Sequence, residues 1–141
     1  MPMPEPRIVK VRPDEATSTL QRLPYFVGVS GERTGATGLS MNLVIVPPGA
    51  ASAPHCHMGF EAAIYQLEGR VRTLYGPGLT ESIDTEAGDF LFIPPGLPHQ
   101  AVNLSATERA VAVVARNIAG EQETVVPYDQ ASKVDRPTGT L

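Results

Sequence analysis

The sequence predicts a single all-β domain, built as a double-sheet sandwich or barrel of the jelly-roll type. Short apolar runs follow one another at near-regular intervals along the chain. The 13 glycines and 14 prolines lie between these runs and are not gathered into one tract. Short strands separated by turns in this way are typical of all-β sandwiches and barrels. The length of 141 residues suits one domain, and no internal repeat is visible.

The predicted strands can be placed in order along the chain. The predicted extended segments are residues 8–11, 23–30, 39–46, 63–67, 71–75, 80–85, 90–93, 100–104 and 110–115. Two of them end sharply, at Pro47-Pro48-Gly49 and at Pro94-Pro95-Gly96, because proline cannot continue a strand ladder. Only residues 14–23 have any helical character. We expect a disordered N-terminus at residues 1–6, a domain at 7–118, and a C-terminal tail at 119–141 that packs on the barrel or on a partner.

The composition narrows the class of function. The formal net charge is −4, and no cluster of lysine and arginine is present, so we expect no nucleic-acid partner. No apolar run is long enough to span a membrane, and the N-terminus lacks the basic and apolar regions of a signal peptide. The single cysteine excludes an internal disulfide framework. The predicted compartment is therefore the cytoplasm, with no membrane partner.

Some apolar residues leave two interpretations open. In residues 41–46 both alternating sets of side chains are largely apolar, which indicates a sheet covered on both faces or a subunit interface. A pocket could be lined by Tyr65, Gln66, Phe90, Phe92 and Gln100, although packing in the core is the default interpretation for the apolar ones.

The three histidines of the chain occupy two positions that predict a metal site. His55 and His57 are two residues apart, and on a strand such residues point to the same face. Glu61 follows four residues later, and His99 comes directly after the rigid segment 94–98. Three imidazoles and one carboxylate suit a divalent Fe, Mn, Co, Ni, Cu or Zn ion, and they leave open positions for a substrate. Cys56 points to the opposite face and is predicted to be a small buried residue.

These residues form two extended motifs. The first contains Gly49, then five residues, His55-Cys56-His57, three residues, Glu61, seven residues and Gly69. The second contains Gly88, then five residues, Pro94-Pro95-Gly96, two residues, His99, three residues and Asn103. Both resemble the motifs of the cupin superfamily, written G-(x)5-H-x-H-(x)3,4-E-(x)6-G and G-(x)5-P-x-G-(x)2-H-(x)3-N. The resemblance implies a double-stranded β-helix, or jelly-roll cupin barrel, with His55, His57, Glu61 and His99 as metal ligands.

One departure from the first motif concerns Glu61. The usual spacing to the closing glycine would put the acid at position 62, which is Ala62 here. A shift of one residue turns a side chain to the other face of a strand. Either a bulge restores Glu61 to the interior as the fourth ligand, which the allowed three-residue spacing after His57 favours, or Glu61 points away and the site has three histidines.

The resemblance also implies a class of function. Cupins that keep these ligands act on small organic molecules, and the set of three histidines and one glutamate resembles that of cupin dioxygenases. We therefore favour dioxygenase-like oxidoreductase chemistry, in which Glu61 could act as a base if released from the metal. A metal-dependent isomerase or lyase and a non-catalytic small-ligand-binding cupin remain as alternatives. Similar single-domain proteins form dimers through N-terminal strands, which predicts a homodimer in which residues 7–11 and 24–30 could take part.

Overall fold

The computed structural model describes residues 5–13, 23–120 and 125–129. Within these residues the chain forms ten strands, one short helix and one 3-10 turn. The elements, in chain order, are β1 Tyr25–Val29, α1 Gly31–Thr34, β2 Ser40–Val46, β3 His55–His57, β4 Ala62–Glu68, β5 Arg70–Tyr75, a 3-10 turn Pro77–Leu79, β6 Glu81–Glu86, β7 Phe90–Ile93, β8 His99–Asn103, β9 Ala110–Arg116 and β10 Val125–Pro127. The all-β prediction is confirmed.

The strands form two antiparallel five-stranded sheets that pack face to face. The first sheet has the order β1-β2-β9-β4-β7, and the second has the order β10-β3-β8-β5-β6. A buried apolar cluster joins the two sheets: Val46 and Ala110 come from the first sheet, and Val71 comes from the second. The chain passes repeatedly from one sheet to the other. Residues that are far apart in the sequence therefore lie close together between the two sheets.

Two residues of the sequence motifs, Gly69 and Asn103, support the fold at a turn and between two loops. Gly69 forms the turn between β4 and β5 at φ +79°, and a Cβ atom there would lie 2.7 Å from the Arg109 carbonyl oxygen. Only glycine fits such a position without strain. The buried Asn103 donates through Nδ2 to the carbonyls of Val46, Pro47 and Glu108 at 2.9–3.2 Å. Its Oδ1 accepts from the Ser105 N–H at 2.8 Å, so one side chain holds two loops together.

The ends of the chain are described only in part. Residues 5–13 form no strand, and Ile8 is fully exposed. The predicted helical segment 14–23 lies almost entirely outside the described residues. In the C-terminal part, β10 pairs with β3 in the second sheet, next to the histidine strand. The domain boundaries 1–6, 7–118 and 119–141 remain predictions. None of the helices in the described part of the chain is long and apolar enough to cross a membrane.

Candidate metal centre

The second sheet brings all three histidines together. His55 and His57 lie on β3, where the two-residue period directs both rings towards the inside. The antiparallel pairing of β3 with β8 puts His99 directly opposite His55. Cys56 faces the other way, as predicted, and is fully buried against Leu79 and Tyr128. The alternation of the strand and a single cross-strand pair therefore assemble the cluster.

The three rings are close enough to share one ion. One nitrogen from each of the three histidines lies within 4.8 Å of the others. The ring centroids are 5.0 Å apart for His55 and His57, 4.3 Å for His55 and His99, and 4.7 Å for His57 and His99. All three side chains are buried. These three histidines could hold a metal ion.

Hydrogen bonds orient two of the rings. The Nδ1 of His55 lies 2.7 Å from the Ala53 carbonyl, and the Nδ1 of His99 lies 2.9 Å from the Leu97 carbonyl. Because a carbonyl only accepts, each Nδ1 carries the proton and each Nε2 keeps its lone pair for a ligand bond. The buried Nδ1 of His57 has no hydrogen-bond partner among the described residues. A buried imidazole nitrogen without a partner fits a set of donors that is completed by a metal.

Electrostatics keep the cluster neutral. Burial, together with the nearby His99 ring, lowers the pKa of His55 to about 3. Burial and the neighbouring His99, His55 and Arg116 lower the pKa of His57 to about 2. Burial also lowers the pKa of His99. At neutral pH all three imidazoles are therefore unprotonated, which is the form that binds metals.

A cavity between the two sheets reaches the histidine cluster. Its volume is ≈ 90 Å³, which is room for a few water molecules or for a small ligand. The walls are largely apolar and include Val44, Ile64, Ile93 and Val114. A ligand in this cavity would contact these apolar walls and would lie beside the three imidazoles.

Glu61 does not point into the interior, as it would if a bulge made it the fourth ligand. Its side chain is exposed, and it is neither part of the histidine cluster nor part of the cavity lining. The backbone N–H of Glu61 donates to Asn117 Oδ1 at 2.9 Å, just before β4 begins. The adjacent Ala62 takes the buried position, at 2% exposure. The prediction that Glu61 is a ligand and a catalytic base is thus not supported by the geometry.

The pairing of β4 and the alternation of its side chains explain the outward position of Glu61. In the pairing of β4 with β9, the only shift among the described pairs lies between Gln66 and Glu68. A bulge inserts one residue, which accounts for the seven residues between Glu61 and Gly69. Ahead of this bulge Ala62 is buried and Ile64 lines the cavity, so Glu61, one residue before Ala62, is on the outward-facing side of the alternation. Among the described residues the group that could hold a metal ion consists of the three histidines without Glu61, and the ligand set itself stays a prediction.

Sequence reasoning missed Arg116. This arginine is 5% exposed and lines the cavity together with the histidines. Its Nε donates to Ser40 Oγ at 3.1 Å, and its guanidinium lies 5.5 Å from the centroid of Phe60. The Phe60 ring in turn stacks on His57 at 4.9 Å. The signal was present in β9, because residue 116 is in phase with Val114 and so shares its inward face.

Comparisons with known proteins agree with the fold and the motifs. A family model for the cupin domain matches residues 42–115, which is more than half of the chain. The chain therefore belongs to the cupin family. It is also similar to germin-like protein subfamily T member 3 of Arabidopsis thaliana, at 34% identity over 93 residues. That match covers 60% of this chain and only 38% of the plant protein.

Solved structures support the same architecture. The polyketide cyclase RemF of Streptomyces resistomycificus matches with a TM-score of 0.68 at 20% identity, over 87% of each chain. The oxalate decarboxylase of Bacillus subtilis, a protein with Mn(II) centres, matches with a TM-score of 0.66 at 18% identity. That match covers 83% of this chain and 30% of the decarboxylase. At these identities the likeness shows the fold alone.

Proposed function

We propose that this protein is a metal-dependent enzyme that acts on a small organic molecule, with His55, His57 and His99 as the metal ligands. The observation that carries the proposal is the convergence of three buried, neutral imidazoles on one cavity. The ion could be Fe, Mn, Ni, Cu, Co or Zn, and neutral ligands would leave it with its full charge and with open coordination positions. Such an ion would polarise a bound substrate or, if it is redox-active, support oxidation of the substrate.

Within this class we favour dioxygenase-like oxidoreductase chemistry. The cavity lining among the described residues contains no carboxylate, so a reaction that depends on a carboxylate base gains no support from the site. The apolar walls, among them Val44, Ile64 and Val114, would hold a largely apolar substrate and exclude water from the reaction.

A non-catalytic small-ligand-binding cupin is the second candidate, because a site without an acid or base beyond the histidines also suits binding alone. We expect a homodimer in the cytoplasm in either case.

Metal content tests the ligand set directly. Purified wild type, loaded under native conditions and desalted, is expected to hold about one metal ion per chain by elemental analysis. His99→Ala should hold at least about tenfold less, because loss of one of three ligands removes well over 1.4 kcal/mol of binding free energy. Glu61→Gln is the matched control and should keep the wild-type content, since its side chain is exposed. Equal metal content in wild type and His99→Ala would refute the site.

Turnover separates the enzyme from the binder. Protein loaded in turn with Fe, Mn, Ni, Cu, Co or Zn is mixed with a panel of small metabolites, while oxygen consumption and product formation are followed. A dioxygenase consumes oxygen in proportion to product. Product without oxygen consumption would indicate an isomerase or lyase. Ligand binding by correctly metallated protein without any turnover would favour the binding role.

A further inference from the structure

Arg116 puts a positive charge at the wall of the cavity that reaches the histidine cluster. The residue is the last of β9, and it is only 5% exposed. Among the described residues that line the cavity it is the one charged residue, and it shares that lining with His55, His57 and His99. Arginine keeps its charge over the whole working pH range of a protein. The cavity therefore has a fixed cation beside three neutral imidazoles.

Contacts from several parts of the chain hold the guanidinium in place. Its Nε donates to Ser40 Oγ on β2 at 3.1 Å, and its Nη2 donates to the Gly120 carbonyl at 3.0 Å. The side-chain oxygen of Asn42, in the amide orientation that satisfies both of its ends, accepts from Nη2 at 3.2 Å. Because the group is fixed in advance, it would lose little side-chain entropy when it binds a ligand.

The charge of Arg116 lies close to the histidine cluster. Its guanidinium is 5.5 Å from the centroid of the Phe60 ring, and that ring stacks on His57 at 4.9 Å. Burial and the other two histidines lower the pKa of His57, and the charge of Arg116 lowers it further. Arg116 and the three imidazoles therefore border one small volume of ≈ 90 Å³.

The balance of charge in the cavity favours an anion. A divalent ion on three neutral imidazoles would keep its full charge, and Arg116 adds a second cation. The part of the lining that the structure describes contains no carboxylate. Glu61 lines a neighbouring groove together with Arg116, but it does not line the cavity. Because charges interact more strongly in a largely apolar cavity than in water, an anionic group would be attracted to both cations.

We propose that Arg116 selects the substrate, and that the substrate is a small carboxylate with an apolar body. This rests on the proposed function, because the selected molecule would be the one on which the metal acts. The guanidinium would bind the carboxylate through paired N–H donors, and walls such as Val44, Ile64 and Val114 would contact the apolar part.

The size and the polarity of the cavity limit the choice of anion. A volume of ≈ 90 Å³ has room for about three water molecules, so the enclosed part of the substrate is a short chain. A carboxylate is favoured over a phosphate because it is smaller and carries less charge, and it therefore loses less hydration beside apolar walls.

The affinity for propionate, compared with that for propionamide, tests the proposal. The two molecules have nearly the same shape, and only propionate is charged at neutral pH. Each is titrated into metal-free and zinc-loaded protein at constant ionic strength, and dissociation constants are taken from backbone amide NMR shifts. Metal-free wild type should bind propionate about tenfold or more tightly than propionamide, because only propionate forms charge-assisted hydrogen bonds with Arg116. Zinc should tighten the binding of propionate further.

Two variants assign this preference to Arg116. Metal-free Arg116→Gln should lose about tenfold or more in propionate affinity and should bind the two molecules about equally. Arg116→Lys keeps the charge without the planar fork, so it should retain part of the preference. Arg70→Gln is the matched control: it removes the same charge at an exposed position of the second sheet and should bind propionate as wild type does.

Circular dichroism checks that each variant folds. If Arg116→Gln folds poorly, the wild-type comparison and Arg116→Lys still decide the question. Equal affinity of metal-free wild type for propionate and propionamide would overturn the proposal, and so would a folded Arg116→Gln that keeps the wild-type preference. Metal content decides the proposed function separately. A chain that binds no metal but prefers propionate through Arg116 would contradict the metal site and leave the carboxylate site in place.

Discussion

The stability of the metal-free protein should fall steeply between pH 7.5 and pH 5, and the histidine cluster should be the cause. In the unfolded chain the histidines titrate near 6.5, whereas burial lowers the pKa of His55 to about 3 and that of His57 to about 2. Between these values the unfolded chain binds more protons than the folded one. Stability is therefore complete above pH 6.5 and is lost as the pH falls towards the folded pKa values.

The size of the effect follows from the linkage relation. Between pH 7.5 and pH 5 each such histidine costs about 2 kcal/mol of unfolding free energy, so His55 and His57 together cost about 4 kcal/mol. The lowered pKa of His99 adds to this loss. A total stability of roughly 5–15 kcal/mol would be cut by a large fraction. For a chain of 141 residues the midpoint of thermal unfolding should drop on the order of 10–20 °C.

The chain is well suited to this measurement, because its only three histidines are the cluster itself. Thermal unfolding is followed by circular dichroism in the presence of a chelator, at steps between pH 7.5 and pH 5. The matched control is the triple variant His55→Gln, His57→Gln, His99→Gln, which lacks all three imidazoles of the chain. The reasoning fails if the wild-type midpoint does not change with pH, or if the triple variant shows the same drop.

Two structural residues of the motifs give further predictions, both read from urea unfolding followed by circular dichroism. Asn103→Ala should lower the unfolding free energy by about 3 kcal/mol, because it leaves three carbonyls and one N–H without their partner. A loss below about 1 kcal/mol would show that water replaces these bonds. Gly69→Ala should also cost about 3 kcal/mol, because a Cβ atom at φ +79° would lie 2.7 Å from the Arg109 carbonyl. Gly59→Ala is its control: it has a similar φ of +85° but nothing within 4 Å, so it should cost clearly less.

The sequence by itself determined the all-β class, the family and the histidine cluster. Each depends on local rules: turn residues between apolar runs define strands, and the two-residue period puts His55 and His57 on one face. The second motif identified His99, and the structure places it opposite His55 in the neighbouring strand. Such features can be predicted from the sequence because short-range geometry determines them.

Only the tertiary structure decided the position of Glu61, the place of Arg116 in the cavity lining and the direction of Phe90 and Phe92. The sequence left two orientations open for Glu61, and the choice depended on which residues of β4 face the second sheet, here Ala62 and Ile64, which is decided by long-range packing. In the first sheet both faces of the strands are apolar, so periodicity separates the two faces without telling which one is inside. The second sheet packs on the face that includes Arg116, so that face lines the cavity. The opposite face, which includes Phe90 and Phe92, stays exposed.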